Sequence, residues 1–303
     1  MRVITAADAE GRLDWLALSD ALAEGHLGAK AELGDQFLTR GGDTLLSRAA
    51  WIDGQGVAVK SVTVLPGNPA QGLPSVNGAM LLFEDRTGQL EAVIDSELVT
   101  KWKTAGDSLL GARLLARKDA GRLLIVGAGA VARSLVAAYR AGFPGIAVTI
   151  WNRSEDKAWA LADEFGLEPA GDLATAVPRA DIVACCTMAR TPVLRGEWLR
   201  PGQHVDLIGA FTADMREADD AALRRARIFV DSRDTTLDHI GELKIPLAEG
   251  AIGRADVLGD LYDLVAGGAG RESDTEITLF KNGGGAHLDL MTGRYILSAL
   301  ATP

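Results

Sequence analysis

The sequence predicts a doubly wound parallel α/β sheet inserted into an α+β unit. Two observations carry that reading. From Arg122 onward, apolar strands alternate with helical stretches at the spacing of βαβ units, which makes a parallel sheet. Before that point, strand-like runs follow one another as a meander, and the chain closes with a further strand, a glycine turn and a helix. A chain of 303 residues suits two domains. The expected division is 1–115 plus 276–303 for the split outer unit and 116–275 for the inserted one.

Taken in order, Leu13, Leu16, Leu18, Leu22 and Leu27 recur at roughly helical spacing. They predict a helix over 13–33 stopped by Gly34, although Gly25 and Gly28 argue against one unbroken helix. Strands are expected at 44-TLLSRAAW-51, 57-VAVKSVTVL-65, 78-GAMLLFED-85 and 90-LEAVIDS-96, divided by turn residues such as 66-PGNPAQGLP-74. A long helix is expected over 98–116. The inserted region then reads as strand RLLIV, helix, strand AVTIW, and the helix DKAWALADEFG ended by Gly166. The strands DIVACCT and HVDLIGA, the helix ADDAALRRA and the strand RIFVDS follow.

Composition excludes several function classes. Hydrophobic residues are 48% and charged residues 24%, which is globular rather than disordered. The net charge of −10 makes nucleic-acid binding a poor default. No apolar run reaches the roughly 18 residues of a membrane span, and the N-terminus lacks the apolar core of a signal peptide. A cytoplasmic protein is expected. Cys185 and Cys186 are adjacent, a poor geometry for bridging each other, and read as free residues. No metal-ligand spacing surrounds them.

One motif carries chemistry. Gly127-Ala128-Gly129-Ala130-Val131-Ala132 fits G-x-G-x-x-A, directly after an apolar strand and opening a helix. In a Rossmann fold Gly127 permits the tight turn, Gly129 admits a pyrophosphate, and Ala132 lets helix pack on strand. The helix N-terminus offers free N–H groups to the phosphates. Ala130 and Val131 belong to that cradle. At the end of the next strand stand Asn152, Arg153 and Ser154, where an NAD site usually has an acid for the ribose 2′-OH. Arg153 instead suits a 2′-phosphate, so NADP(H) is expected in preference to NAD(H).

The chain resembles the ornithine cyclodeaminase/μ-crystallin family over most of its length. The resemblance rests on 60-KSVTVLPGNPAQGLPSVNGAMLLFEDRTGQLEAVIDS-96, 103-KTAGDSLLGARLLA-116, 124-LIVGAGAVA-132, 205-VDLIGAFTADMREAD-219, 228-IFVDS-232, 241-GEL-243 and 277-ITLFKNGGGAHLDL-290. It implies an outer α+β unit that binds substrate and forms a homodimer, plus a Rossmann unit that binds the nicotinamide cofactor. It also implies chemistry at a C=N bond on the α-carbon of an amino acid.

The resemblance further implies a cationic cradle for the substrate carboxylate, made of Arg40, Lys60 and Lys103, with Arg48 a competing assignment for Arg40. Lys60 lies within an apolar strand, where burial without a partner is costly, and Lys60 or a water bound to it is expected to supply the ring-nitrogen proton. Lys103 stands where the family has Arg and loses the forked geometry. Asp289 matches the family's F-K-S-x-G-x-A-x-x-D-L segment, with Asn282 in place of Ser. Thr104, Thr187, Gly209 and Gly284 are expected at the cofactor, Thr187 because it ends a strand at the ligand-binding edge. His287 reads as structural and Glu242 as a helix cap.

Cyclodeaminases of the family place an Asp in a Gly-Gly-Asp segment. The matching residues here are Gly209-Ala210-Phe211, and Phe211 accepts no proton. The expected activity is therefore reduction of a preformed cyclic imino acid, pyrroline- or piperideine-2-carboxylate, with Phe211 against the ring. Ornithine cyclodeaminase and alanine-type dehydrogenase are the alternatives.

Overall fold

A computed structural model describes residues 1–301. The chain divides into two units, Met1–Lys103 with Gly285–Pro303, and Thr104–Gly284. The first is a mixed α+β unit and the second a parallel α/β unit.

The first unit holds a six-stranded sheet in the order β1-β6-β5-β4-β3-β2. Its strands are β1 Arg2–Ile4, β2 Glu32–Arg40, β3 Asp43–Ile52, β4 Gly56–Val64, β5 Val76–Phe83 and β6 Leu90–Asp95. β2 to β6 form an antiparallel meander, and β1 joins β6 in parallel. In β4 the residues Ala58, Lys60 and Val62 are buried while their neighbours are half-buried, so Lys60 occupies the inward face of the strand. The C-terminal helix Ala286–Ala301 packs on β3, β4 and β5. Its Gly293 lies so close to Met80 of β5 that a β-carbon there would collide with the Met80 side chain.

The helix expected over 13–33 spans only Trp15–Leu27, started by Asp14, whose carboxylate accepts from the Ala17 N–H at 2.8 Å. It ends because Gly28 takes an extended backbone. The following residues form β2, which pairs with β3 from Glu32↔Trp51 to Arg40↔Asp43. Both faces of β2 are exposed, so it carries no buried period-two pattern by which to read it as a strand.

The second unit is an eight-stranded parallel sheet, β13-β12-β14-β11-β10-β7-β8-β9. Its strands are β7 Arg122–Val126, β8 Ala147–Trp151, β9 Glu168–Pro169, β10 Ile182–Cys185, β11 His204–Leu207, β12 Ala226–Val230, β13 Val257–Gly259 and β14 Ile277–Lys281. The middle strands are buried on both faces, as a sheet covered by helices requires. The chain runs outward from β7 through β9, then returns to β10 on the other side of β7. That reversal is the topological switch point of a doubly wound sheet.

The boundaries differ from the expected 115/116 and 275/276. β14 is threaded between β11 and β12, so it belongs to the Rossmann sheet. The helix Ser96–Leu115 crosses the boundary, and its second half packs on that strand. Asn282 Nδ2 donates to the Thr104 carbonyl at 2.9 Å and to Ser108 Oγ at 3.0 Å.

Gly111 is the tightest point of this packing: a β-carbon there would stand 2.6 Å from the Phe280 ring. Gly111→Ala gains at most ~1 kcal/mol of helix propensity but overpacks a rigid ring at a cost of about 1–3 kcal/mol. Thermal unfolding of the variant should therefore show a lower Tm; an unchanged or raised Tm would contradict the packing.

Candidate active site

In the first unit, three segments distant in sequence bring charge together in the interior. Lys60 comes from β4, Lys103 from the helix Ser96–Leu115, and Asp289 from the first turn of the C-terminal helix. Their exposures are 5%, 5% and 1%. Both ammonium groups lie 2.6 Å from the same oxygen, Asp289 Oδ1. Lys60 also donates to Thr100 Oγ at 3.4 Å, and Lys103 to the Gly285 carbonyl at 3.4 Å. Asp289 Oδ2 is buried with no hydrogen-bond partner among the described residues.

Burial pushes the Asp289 carboxyl up, but Lys103 and Lys60 outweigh it and hold its pKa below the ordinary value. Burial pulls the Lys103 ammonium down to about 7, against the attraction of Asp289, and Lys60 and Arg48 add to the fall. His287 is buried in the same first turn as Asp289, with its ring 5.5 Å from that of His26. Burial first, then His26 and Lys103, drives its pKa well below the ordinary value, so it is neutral.

Arg40 is not brought to this cluster. Its side chain is 89% exposed at the end of β2 and faces Asp43 at 3.4 Å. Arg48 is the arginine near the lysines: it stands directly across from Lys60 in the β3–β4 register, hence on the same face of the sheet. Its guanidinium pairs with Asp35 at 2.7 Å.

In the second unit, Gly127 has φ of 122°, a conformation glycine adopts freely. A β-carbon there would crowd Cys186. Gly129 caps the helix Ala130–Gly142 without any side-chain capping bond, and nothing lies within 4 Å of where its β-carbon would be. Ala132 is fully buried. These residues fit a dinucleotide pyrophosphate: the first-turn N–H groups of the helix have no side-chain cap, and the space at Gly129 is open. Asn152 donates to the Ser154 carbonyl at 3.0 Å, leaving Arg153 and Ser154 exposed beyond β8.

At the C-terminal ends of β10, β11 and β14 the backbone is held by buried carboxylates that sequence reasoning missed. Glu217 Oε1 accepts from the Thr187 N–H at 2.6 Å and the Thr187 hydroxyl at 2.8 Å. Its Oε2 accepts from the N–H groups of Gly209 at 2.6 Å and Ala210 at 3.3 Å. Glu242 is not a helix cap: it accepts from the N–H groups of Glu217 at 2.7 Å and Ala218 at 3.0 Å. Burial, then Glu217, raises its pKa to about 7. Asp231 accepts from Gly283 at 2.9 Å and Gly284 at 2.6 Å, so the Gly284 N–H is already engaged. Lys281 is fully buried and donates to the Leu207 carbonyl at 2.9 Å. Burial raises the pKa values of Glu217, Glu242 and Asp231, and Lys281 offsets only part of that rise. The signal in sequence was the M-R-E-A-D segment, which carries no periodicity and gave no role to its glutamate.

Phe211 is 60% exposed rather than packed in a core. Asp214 is exposed and tied to Arg190 at 2.6 Å and to the Thr212 hydroxyl at 2.6 Å. Cys185 and Cys186 are both free thiols, raised far above their ordinary pKa by burial. Among the described residues no cluster of His, Cys, Asp and Glu is arranged to hold a metal, and no helix is long and apolar enough to cross a membrane.

Fold and glycine cradle define a two-domain protein of the Rossmann class with a split α+β partner unit. The chain belongs to the ornithine cyclodeaminase/mu-crystallin family, whose model matches residues 47–302. It is 56% identical over 301 residues to the Delta(1)-pyrroline-2-carboxylate reductase of Paracoccus denitrificans, covering 97% of this chain and 95% of that one. The fold is similar to that of the Thermococcus litoralis Delta(1)-pyrroline-2-carboxylate reductase in complex with NADH and L-proline, with a TM-score of 0.90, 28% identity, and 99% and 97% of the two chains covered. It is also similar to an archaeal alanine dehydrogenase dimer with bound NAD, at a TM-score of 0.89, 27% identity, and 99% and 96% coverage.

The lysine pair predicts a pH-dependent stability. Lys103 in the folded state releases its proton near pH 7, whereas an ordinary lysine holds it to about pH 10.5. Between those values the unfolded chain holds the extra proton, so this group's contribution to stability rises with pH. Asp289→Asn leaves two buried ammonium groups without their anion. Urea unfolding should show a loss of about 3–5 kcal/mol at pH 6. The loss should shrink by pH 9, where Lys103 is already neutral in the parent. A pH-independent loss would count against the shared carboxylate.

Proposed function

We propose that this chain is an NAD(P)H-dependent reductase of a cyclic α-imino acid, Δ1-pyrroline-2-carboxylate or Δ1-piperideine-2-carboxylate, forming L-proline or L-pipecolate. The observation that carries the reading is the shared Asp289 oxygen: two cations on one anion leave one buried positive charge to match a single carboxylate. The Paracoccus and Thermococcus reductases support the substrate class.

Lys60 and Arg48 hold the substrate carboxylate, with Arg48 taking the place first assigned to Arg40. Holding the imine in one orientation supplies much of the rate. When bound, the reduced nicotinamide supplies a hydride to C2. The new C–H bond forms as the C=N π pair moves to nitrogen, and one proton completes the ring N–H. Lys103 supplies that proton rather than Lys60, because its ammonium is poised near 7, where a general acid works best at neutral pH. Asp289 positions both lysines.

The alternatives on this scaffold lose support at the same positions. Phe211 takes the place of the amine-activating acid, and Asp214 is held ionised below its ordinary pKa by Thr212 and Arg190. NADP(H) is preferred over NAD(H), since 152–154 carries Arg153 and no acid. The protein acts as a homodimer in the cytoplasm: the open edge strand β2 exposes Leu33, Phe37 and Leu38, and two free thiols suit a reducing compartment.

The test is NADPH oxidation with each imine, beside NADH. Lys60→Ala should lower kcat/KM by about a hundredfold or more, Arg48→Ala should raise the imine KM about tenfold, and Arg40→Ala should change either by less than about twofold. No oxidation with either imine would return the chain to ornithine or to pyruvate with ammonia. Wild-type kcat/KM should fall as pH rises above about 7, as Lys103 loses its proton. In Lys103→Arg, which stays charged, that descending limb should vanish and kcat should drop; a limb that persists would belong to the imine itself.

A further inference from the structure

Glu217 ties together two strand ends in the second half of the Rossmann sheet. It is fully buried and carries four donors from two strand ends, Thr187 after β10 and Gly209 and Ala210 after β11. Burial raises its pKa above the ordinary value, against Lys281 and these donors, and the four donors occupy the roughly four lone-pair sites of the ionised carboxylate. The two strand ends also touch directly, since a β-carbon at Gly209 would collide with the Thr187 backbone. Glu217 is itself fixed from behind, where Glu242 accepts its N–H.

This arrangement decides what Thr187 offers a ligand. Its N–H and its hydroxyl proton both point to Glu217. Thr187 is half-buried, and while Glu217 is ionised its hydroxyl oxygen presents lone pairs only. Thr187 follows β10, the first strand beyond the switch point, and the strands beyond that point form the second mononucleotide half of a doubly wound sheet, where the nicotinamide end of a dinucleotide lies. The carboxamide of nicotinamide carries an N–H₂ donor that matches an acceptor.

We propose that Glu217 is a positioning residue of the cofactor site, which joins the tips of β10 and β11 and makes the Thr187 hydroxyl an obligate acceptor for the carboxamide N–H₂ of the nicotinamide. The inference rests on the reading of this unit as a dinucleotide site. It adds a polarity rule: the site discriminates against a cofactor whose carboxamide nitrogen is replaced, even when the ring is unchanged.

The test is equilibrium binding, read by quenching of tryptophan fluorescence. Three ligands are compared: the reduced dinucleotide that the wild type binds more tightly, its 3-acetylpyridine analogue, in which a methyl group replaces the carboxamide nitrogen, and the ADP-ribose half alone. Thr187→Val should weaken the natural dinucleotide about tenfold and the analogue less than about twofold, whereas Thr187→Ser, which keeps the hydroxyl, should restore the natural affinity to within about twofold. Glu217→Gln turns an amide N–H₂ toward the backbone donors and should weaken the dinucleotide about tenfold while changing the ADP-ribose half less than about twofold. Equal weakening of the natural cofactor and the analogue by Thr187→Val overturns the acceptor role. Equal weakening of the ADP-ribose half by Glu217→Gln, or failure of that variant to fold while Thr187→Val behaves as wild type, makes Glu217 structural only and overturns the proposal. Failure of the wild type to bind the ADP-ribose half would instead remove the dinucleotide reading itself.

Discussion

One carboxylate oxygen, Asp289 Oδ1, neutralises two buried ammonium groups, and the first unit is built around that contact. A lysine on the inward face of β4 and another inside a helix are each costly to bury alone. They are tolerated because a third segment, 229 residues from Lys60 in sequence, brings an anion to both. Asp289 also lies in the first turn of its helix, where the dipole favours a negative charge. The meander, the long helix and the C-terminal helix thus meet at one atom. The charge left over is positive.

The second unit solves the opposite problem. There a single buried lysine, Lys281, sits among Glu217, Glu242, Asp231 and Asp206. The surplus is negative. It is absorbed largely by backbone N–H groups at the ends of β10, β11 and β14, which are short of partners where the sheet stops. Burial lifts two of these acids, Asp206 and Glu242, to about 7. Glu217 and Asp231 therefore fasten the sheet edge at which ligands of such folds bind. A small cationic hub in one unit and an anionic edge in the other follow from the same rule, that buried charge survives only with partners.

The parallel sheet was legible from Arg122 onward because βαβ alternation and the glycine motif are local signals. Lys60 was legible for a similar reason: a lysine in an apolar strand stands out. β2 was not, since both its faces are exposed and no hydrophobic alternation marks it. Arg40 and Arg48 are nearly equivalent as a sequence, and only the β3–β4 register, which pairs Arg48 with Lys60, separates them. The meeting of Lys60, Lys103 and Asp289, and the four donors on Glu217, depend on long-range geometry that no spacing encodes. The boundary at 284 rather than 275 depends on where β14 enters the sheet, which is likewise a tertiary fact.

The position of β14 also constrains the order in which the molecule can be assembled. This strand lies between β11 and β12, yet it is made after β13. Until residues 277–281 emerge during synthesis, β12 and β13 have no edge of the sheet to join, and β11 shows a bare edge of its own. Domains usually mature as the ribosome releases them from the N-terminal side. Here the nascent Rossmann sheet stays open through its middle until β14 is out, and the stretch that follows carries Asp289, the anion that pairs with the lysines of the first unit. One stretch, β14 with the helix after it, thus closes the middle of the second unit's sheet and supplies the anion of the first unit.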